Sequence, residues 1–383
     1  MLRINGKSLL PVVQGGMGVG VSAHRLAGSV ARAGGVGTIS SVDLRRHHPD
    51  LMAETLKSRD KDLINRVNLV ALDREIRAAK AIADGRGLIA VNIMRAVSEY
   101  TANVRQACES GVEAIVVGAG LPLDLPDLTA SHPDVALIPI LSDSRGIAVV
   151  LKKWLRKSRL PDAIVIEHPG YAGGHLGAAK IADLNDPRFD FPRVLEETFG
   201  VFRQLGIERE HVPLIPAGGI ATHAQVRELF ALGAGAVQIG TAFAVTEESD
   251  AHANFKRVLV EAKPEDIVTF MSVAGLPARA VKTPWLENYL VKLPVLQSRA
   301  NARTDCTLAF DCLEQCGLRD GVARFGQFCI DHHLAAALTG DVKRGLFFRG
   351  TAPLPFGTHI RPVSDLVAYL LYGTMPADMS ISR

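Results

Sequence analysis

Short apolar runs recur along the chain and alternate with segments that have helical spacing. The runs occupy residues 10–13, 36–39, 88–91, 114–117, 135–140, 163–166, 214–217 and 236–239. Nearly all are continuous apolar stretches, as expected for parallel strands that are buried on both faces. Eight such strands alternating with helices over about 260 residues predict an α/β fold, the (β/α)₈ TIM barrel. A doubly wound open sheet is the structural alternative, because the number of strands does not prove closure.

The segments between these runs carry helix start and stop signals. They predict helices over residues 24–33, 73–83, 98–110, 144–157, 193–205 and 222–232. Asp73 and Thr222 are the expected N-caps. Glycines are expected to end several of these helices, at positions 34, 111, 206 and 233.

Chain length and composition indicate a large soluble enzyme. The 383 residues suffice for a barrel over residues 1–263 and a mainly helical extension over residues 264–383 that packs on it. The net charge of +3 is too small to indicate binding to nucleic acid or to an anionic membrane. No apolar stretch reaches the roughly 18 residues that span a bilayer, and no signal peptide is evident. We therefore expect a cytoplasmic protein.

The basic run at residues 45–48 is interpreted as a solvated surface loop.

The last two predicted strands both end in glycine turns. Glycines at a strand end let backbone N–H groups approach a ligand closely, and clustered N–H groups favour an anion. In a (β/α)₈ barrel the loops after strands 7 and 8 form the phosphate site. The candidate cofactor-binding residues in these two turns are Ala217, Gly218, Gly219, Gln238, Gly240 and Thr241.

Other strand ends are also rich in glycine or carry an amide. They contribute Gln14, Gly15, Gly16 and Met17 after the first strand, Asn92 at the end of the third and Gly118 after the fourth. Close backbone approach at so many strand ends favours a ligand that is broad and flat as well as phosphorylated, and FMN fits this description. The alternative is that these glycines only make tight turns.

A histidine follows the sixth predicted strand. His175 lies between Gly174 and Gly177 in a loop at the barrel face that carries active sites, and Gly174 is a further candidate cofactor-binding residue. Histidine is the side chain best suited to move protons near neutral pH, so His175 is the candidate catalytic residue. A structural role is the alternative for His175, and it is the preferred interpretation of His168.

These motifs, in this order, resemble the nitronate monooxygenase family, formerly called 2-nitropropane dioxygenases. The resemblance covers about residues 10–284 and rests on the Gly-Gly-His loop, the Gln-Gly-Gly-Met turn and the two glycine turns at residues 217–220 and 238–241. The same superfamily includes flavin-dependent enoyl-acyl-carrier-protein reductases and some NADH:quinone reductases. The resemblance implies an FMN-containing TIM barrel. Residues 14–17 would then lie along the flavin ring, Asn92 would bind it, and His175 would match the family's active-site histidine.

The sequence departs from the family pattern near the histidine and beyond the barrel. Tyr171 stands where the family commonly has a glutamate, which leaves the substrate preference open. Leu276 replaces the first arginine of a later family stretch. Arg279, in the same stretch, is expected either to reach an anionic group or to form a structural ion pair.

Four of the five cysteines cluster within residues 306–329 of the extension. Cys306, Cys312, Cys316 and Cys329 have the spacing C-x₅-C-x₃-C-x₁₂-C. Disulfides are not expected in a cytosolic enzyme, so the cluster suggests a metal site. An iron–sulfur cluster of the [4Fe–4S] type, zinc and no metal at all remain open.

The sequence supports an FMN-dependent oxidoreductase acting on a small-molecule substrate. The preferred hypothesis is a nitronate monooxygenase that converts alkyl nitronates and dioxygen into a carbonyl compound and nitrite. The alternative is an NAD(P)H-dependent FMN reductase of an enoyl thioester or quinone, which an iron–sulfur cluster would favour. A barrel that binds a sugar phosphate without flavin is the third possibility, and it leaves the glycines after the first and fourth strands unexplained.

Overall fold

The computed structural model describes residues 1–303, 306 and 312–379. Its strands are β1 Leu2–Ile4, β2 Lys7–Leu9, β3 Val12–Gln14, β4 Val36–Ser40, β5 Leu88–Met94, β6 Ala114–Gly118, β7 Ala136–Leu141, β8 Ile164–Glu167, β9 Gly174–His175, β10 Leu214–Ala217, β11 Val237–Ile239, β12 Ile267–Met271 and β13 Pro277–Val281. Its helices are α1 His24–Arg32, α2 Pro49–Thr55, α3 Lys61–Ala83, α4 Tyr100–Glu109, α5 Leu125–Leu128, α6 Ser144–Leu155, α7 Phe191–Leu205, α8 His223–Ala231, α9 Thr241–Ala244, α10 Ala253–Glu261, α11 Pro284–Ser298, α12 Ile330–Leu338 and α13 Val363–Tyr372.

Within the described residues, eight parallel strands close into a barrel in the order β10-β11-β3-β4-β5-β6-β7-β8. These are the eight strands that the apolar runs predict, so the TIM barrel is confirmed and the open sheet is wrong. Closure is carried by β3, whose Val12 and Val13 pair with β11 on one side while Val13 pairs with β4 on the other. The hairpin β1–β2 covers one end of the barrel, where Leu2 and Leu9 join the cluster of side chains inside it. The opposite end, at the carboxyl ends of the strands, is left for a site.

The predicted helices are present, with one boundary in error. The helix predicted over residues 73–83 begins at Lys61, and its N-cap is Asp60, whose side chain accepts a hydrogen bond from the Leu63 N–H. Asp73 lies inside this helix and pairs with Arg77 one turn later, at 2.8 Å. An aspartate followed by a periodic apolar pattern therefore does not mark a helix start when an i,i+4 arginine is available. Thr222 does form the expected capping box with Gln225.

The region beyond the barrel packs against it at two places. Strands β12 and β13 form an antiparallel hairpin, and β13 also pairs with the short strand β9 in the loop after β8. Helix α13 packs between α1 and α8, with Leu366 and Leu370 buried in a shared cluster. This packing brings the extension to the barrel mouth.

The basic run at residues 45–48 is not a solvated surface loop, so that interpretation is wrong. Arg45 is 5% exposed and donates a hydrogen bond of 2.7 Å to Asp43, which is itself buried. Arg46 contacts Asp43 and donates at 2.8 Å to Asp331 of α12. Buried charges are retained where they are paired, and here one partner, Asp43, is local while the other, Asp331, comes from a distant part of the chain. None of the helices in the described part of the chain has the length and hydropathy to cross a membrane.

Candidate active site at the barrel mouth

A cavity of about 680 Å³ opens at the carboxyl ends of the barrel strands. Its wall brings together residues that are far apart in the sequence, as the position of active sites in this fold requires. The sequence-predicted residues in the wall are Gly15, Gly16, Met17, Asn92, Gly118, Gly174, His175, Ala217, Gly218, Gly219, Gln238, Gly240 and Thr241.

One end of the cavity presents backbone N–H groups that have no acceptor. The amides of Gly219, Ile220 and Gly240 donate no hydrogen bond within the described residues, although backbone donors are almost always paired. Gly218 and Gly219 adopt left-handed φ values of +93° and +78°, which glycine reaches without strain. A side chain at Gly219 would begin 2.8 Å from the Tyr171 Cβ, so the turn leaves no room for one. This end has the features of an oxyanion or phosphate cradle.

A segment of the extension crosses close to this cradle. The Gly350 N–H donates to Thr241 Oγ1 at 3.1 Å, and the Thr351 N–H donates to the Tyr171 carbonyl at 3.1 Å. A Cβ on Gly173 would stand 2.5 Å from the backbone of residues 349–350, so only glycine allows this approach. The extension thus completes the wall around the phosphate end.

The floor of the cavity is formed by the first and third barrel strands. A Cβ on Gly16 would stand 2.3 Å from the Asn92 Cβ, so glycine is required for the turn to lie against this residue. The Asn92 side-chain amide has no hydrogen-bond partner within the described residues and lies in the cavity wall, where it is free to bind a ligand.

Gln14 does not lie in the cavity wall, although it is a predicted cofactor-binding residue. Its side chain is fully buried and turned toward β4, where Nε2 donates to the Thr38 carbonyl at 3.1 Å and Oε1 accepts from the Thr38 N–H at 2.9 Å. The amide is therefore occupied in joining β3 to β4. The structure gives this side chain a role in the barrel wall.

His175 is held over the cavity by the hairpin of the extension. Its Cα pairs with Ala278 of β13, and its Nε2 lies 2.8 Å from Oγ of Ser272, which is fully buried. Burial lowers the pKa of His175 to about 4, because the charged imidazolium is disfavoured away from water. The imidazole is therefore neutral near pH 7. Ser272 was not found from the sequence, since its partner is almost 100 positions away.

The structure adds an acidic residue that the sequence did not single out. Glu167 is the last residue of β8, is partly exposed and lies in the cavity wall. Burial raises the pKa of Glu167 to about 7, and the charge of Arg279 opposes the rise. The available signal was an acid at the end of an apolar strand on the active-site face.

Arg279 acts inside the loop between Glu167 and His175. It is 5% exposed, donates to the Pro169 carbonyl at 3.1 Å and also contacts the Ala172 carbonyl. Within the described residues it forms no ion pair at contact distance. Its hydrogen bonds to the two carbonyls brace the loop that carries His175.

His168 lies in the same loop with a structural environment. Its Nδ1 accepts from the Gly170 N–H at 3.0 Å, and its ring lies 4.3 Å from that of Tyr171. His168 does not line the cavity described above. These contacts agree with the interpretation of His168 as structural.

The other end of the cavity is apolar and is walled mainly by the extension. Its side chains include Val42 and Val97 from barrel loops and Leu313, Ile330, Leu334, Leu346 and Phe348 from the extension. Phe348 also meets the His175 ring edge-on, at 5.6 Å between centroids. A substrate with an apolar part would fit between this wall and His175.

The four clustered cysteines do not form an evident metal site. Cys312 lies in the cavity wall, and burial, followed by the charges of Asp331 and the other three thiols, raises its pKa well above the usual range. Across residues 1–303, 306 and 312–379, no group of three or more His, Cys, Asp or Glu side chains is placed to hold a metal ion. The metal site therefore stays a prediction.

The residues present fit FMN. Unpaired N–H groups offer a cradle for its phosphate, while the unpaired Asn92 amide and the side-chain-free turn at Gly16 offer a flat face for its ring. The cavity is large enough to leave an apolar limb beside His175. Sugar phosphates alone would leave most of this wall without a partner.

Comparison with known proteins agrees with this geometry. A family model described as nitronate monooxygenase matches residues 5–372. A probable nitronate monooxygenase of Bacillus subtilis is 27% identical over 289 residues, covering 72% of this chain and 78% of the relative. One of Staphylococcus saprophyticus is 26% identical over 291 residues, covering 72% and 76%.

Solved structures share the fold. FabK from Thermotoga maritima has a TM-score of 0.64 and 22% identity, with 94% of this chain and 91% of that chain covered. A nitroalkane oxidase from Streptomyces ansochromogenes has a TM-score of 0.63 and 20% identity, with 97% and 98% covered. At these identities the likeness supports the barrel with its extension as one common architecture.

Proposed function

The chain belongs to the nitronate monooxygenase family, and on this premise we propose that it is an FMN-dependent enzyme that oxidises alkyl nitronates with dioxygen. The family consists of flavin-dependent oxidoreductases that act on small molecules. The proposal for this chain concerns the cofactor, the substrate class and the residues that hold them.

The observation that carries the proposal is the position of a neutral His175 between a phosphate cradle and an apolar limb. The amides of Gly219, Ile220 and Gly240 would bind the FMN phosphate, and Asn92 would hydrogen-bond the ring. When bound, FMN would take electrons from the substrate and pass them to dioxygen. The cavity is then left with space beside His175 for one small molecule with an apolar tail.

The role of His175 follows from its protonation state. With a pKa of about 4 it carries no positive charge near pH 7, so it would orient the nitro group or accept a proton without forming a tight ion pair. Ser272 fixes the ring through Nε2, which limits its rotation. A nitronate is already deprotonated at carbon, so it needs orientation more than it needs a base.

Anaerobic purification followed by absorbance spectroscopy and oxygen consumption tests this function. We expect a flavin spectrum, oxygen uptake with ethyl nitronate, and nitrite as product. If NADH and NADPH reduce the flavin more slowly than ethyl nitronate does, the result supports the monooxygenase. Fast bleaching by NAD(P)H with no nitronate oxidation would assign the alternative activity, the reductase of an enoyl thioester or quinone.

An iron–sulfur cluster at the four cysteines is a further part of the proposal, and the proposed nitronate oxidation does not need it. If Cys306, Cys312, Cys316 and Cys329 hold a Cys₄ [4Fe–4S] centre, anaerobic protein will contain about four irons per chain. Cys312→Ser would then lose iron and keep FMN. Metal-free anaerobic protein with full flavin content would remove the cluster from the proposal.

A further inference from the structure

We propose that Glu167 selects the charge of the substrate: in its protonated form it donates a hydrogen bond to an anionic nitronate, and in its ionised form it excludes that anion. This inference rests on the function proposed above and adds a specificity residue to it. The residue acts on ligand binding, and no covalent step is involved.

The placement of Glu167 points to a ligand. It ends β8, where its Cα pairs with Ala217 of β10, and both residues lie in the cavity wall. Within the described residues its carboxyl group has no hydrogen-bond partner, and the side chain is partly exposed where it lines the cavity. A carboxyl group that reaches a cavity without a protein partner is free to hydrogen-bond a molecule bound there.

The surroundings of Glu167 bring its ionisation close to pH 7. Arg279 is the charged side chain that acts on it, and its guanidinium is engaged by the carbonyls of Pro169 and Ala172. Burial outweighs this charge and keeps the pKa near 7. A negative ligand beside the carboxyl group would raise that pKa further.

The other ionisable groups in the wall are Asp143, Tyr171, His175, Cys312, Asp331 and Arg349. Asp143 caps α6 through Gly146, and Arg349 donates to the Leu259 and Gly350 carbonyls. Asp331 pairs with Arg46, and burial raises its pKa to about 7, so the comparison with Glu167→Gln separates the two carboxyl groups in the pH profile. His175 is uncharged near neutral pH, so an anionic substrate cannot rely on an imidazolium. A protonated carboxyl group is then a suitable donor, as it is where an apolar site keeps a carboxylic acid neutral.

The sign of the pH effect follows from this arrangement. Below pH 7 Glu167 is mostly protonated and donates to the anion. Above pH 7 the carboxylate and the anion repel each other, so binding requires the uptake of one proton. Affinity for a nitronate should fall with rising pH, toward a limit of about tenfold per pH unit.

Three forms of the FMN-loaded enzyme test the inference: wild type, Glu167→Gln and Glu167→Asp. The KM for freshly prepared ethyl nitronate is measured from pH 6.5 to 9, with FMN content checked in each form. Proton uptake on binding nitrate, a planar anion that cannot be oxidised, is measured by calorimetry in buffers of different ionisation enthalpy.

We expect the wild-type KM to rise steeply above pH 7 and Glu167→Asp to retain a rise. Glu167→Gln keeps a neutral donor, so its KM should stay low and nearly constant, and nitrate binding should take up no proton. A merely structural residue would not move the pH profile in this way.

Two results would overturn the inference while leaving the proposed function intact: the same pH dependence in Glu167→Gln as in wild type, or loss of FMN from Glu167→Gln, which would make Glu167 a cofactor ligand. Wild-type enzyme that holds FMN but oxidises no nitronate would contradict the proposed function itself.

Discussion

His175 and Ser272 are joined by a contact of 2.8 Å between Nε2 and Oγ, across the junction of the barrel and its extension. The Ser272 hydroxyl also accepts from the Ala274 N–H at 3.3 Å, which fixes its position in the turn after β12. The loop histidine is therefore oriented by a residue outside the barrel. The extension takes part in the site and does not only cover it.

Ser272→Ala is expected to lower turnover about five- to tenfold, because one buried hydrogen bond of roughly 1 kcal/mol orients the imidazole. FMN content should not change, since the cradle lies elsewhere. The measurement is kcat for ethyl nitronate together with the flavin-to-protein ratio. Ser41→Ala is the matched control, as Ser41 is also buried but its hydroxyl has no partner within the described residues. Equal kcat values for the two variants would show that Ser272 does not position His175.

His175→Ala is expected to keep FMN and to lower turnover by about 10² to 10⁴, the usual range for loss of a general acid or base. The loss should be smaller for a nitronate than for a neutral nitroalkane, which must first give up a proton. Steady-state kinetics with both substrates measure this difference. The double variant His175→Ala with Ser272→Ala should be no slower than His175→Ala alone, because Ser272 acts only by orienting the His175 imidazole. Unchanged turnover on both substrates would show that His175 takes no part in the reaction.

The sequence predicted the barrel well because every strand is a short apolar run, and such runs need only local information. The glycine turns were found for the same reason, since Gly218 and Gly219 are needed for the backbone conformation of their own turn. Ser272 and Arg46 were missed or misread because their roles depend on partners almost 100 or more positions away. Gln14 was predicted to bind the cofactor because it belongs to the Gln-Gly-Gly-Met motif. In the structure its side chain forms hydrogen bonds with the Thr38 backbone in β4.

Gly240→Asp is expected to abolish FMN retention while leaving a folded barrel, because a carboxylate would repel the phosphate and fill its space. Gly240 suits this test, since the nearest atom to an added Cβ is Met17 Sδ at 3.8 Å. Gly240→Ala is the matched control and should retain most of the FMN. The flavin-to-protein ratio and the thermal midpoint of the apoprotein are measured for both. Gly219→Asp should lose FMN too, but its Cβ would also collide with Tyr171, so a lower midpoint is expected there. Full FMN occupancy in Gly240→Asp would show that the phosphate lies elsewhere.

A buried carboxyl pair links the loop after β4 to α12. Asp331 receives a hydrogen bond of 2.8 Å from Arg46, which also contacts Asp43. Burial, followed by the charge of Asp43, raises the pKa of Asp331 to about 7, while Arg46 and Arg45 hold the pKa of Asp43 below its usual value despite burial. The pair therefore holds one proton at mildly acidic pH.

Asp331→Asn is expected to change how stability depends on pH. The native protein binds a proton at Asp331 that the unfolded chain releases near pH 4, so this group lowers the free energy of unfolding as pH rises from about 4 to about 7. The amide that replaces the carboxyl group would keep an acceptor for Arg46 and cannot ionise. The free energy of unfolding of the variant should therefore not show the decrease that Asp331 causes in the wild type. Asp43 contributes in the opposite sense and in a separate window, because its lowered pKa places its effect below about pH 4. Urea unfolding at pH 5, 6.5 and 8 measures the difference between the two proteins. We expect the variant to gain stability relative to wild type from pH 5 to pH 8, and a constant difference would show that Asp331 is already ionised at pH 5.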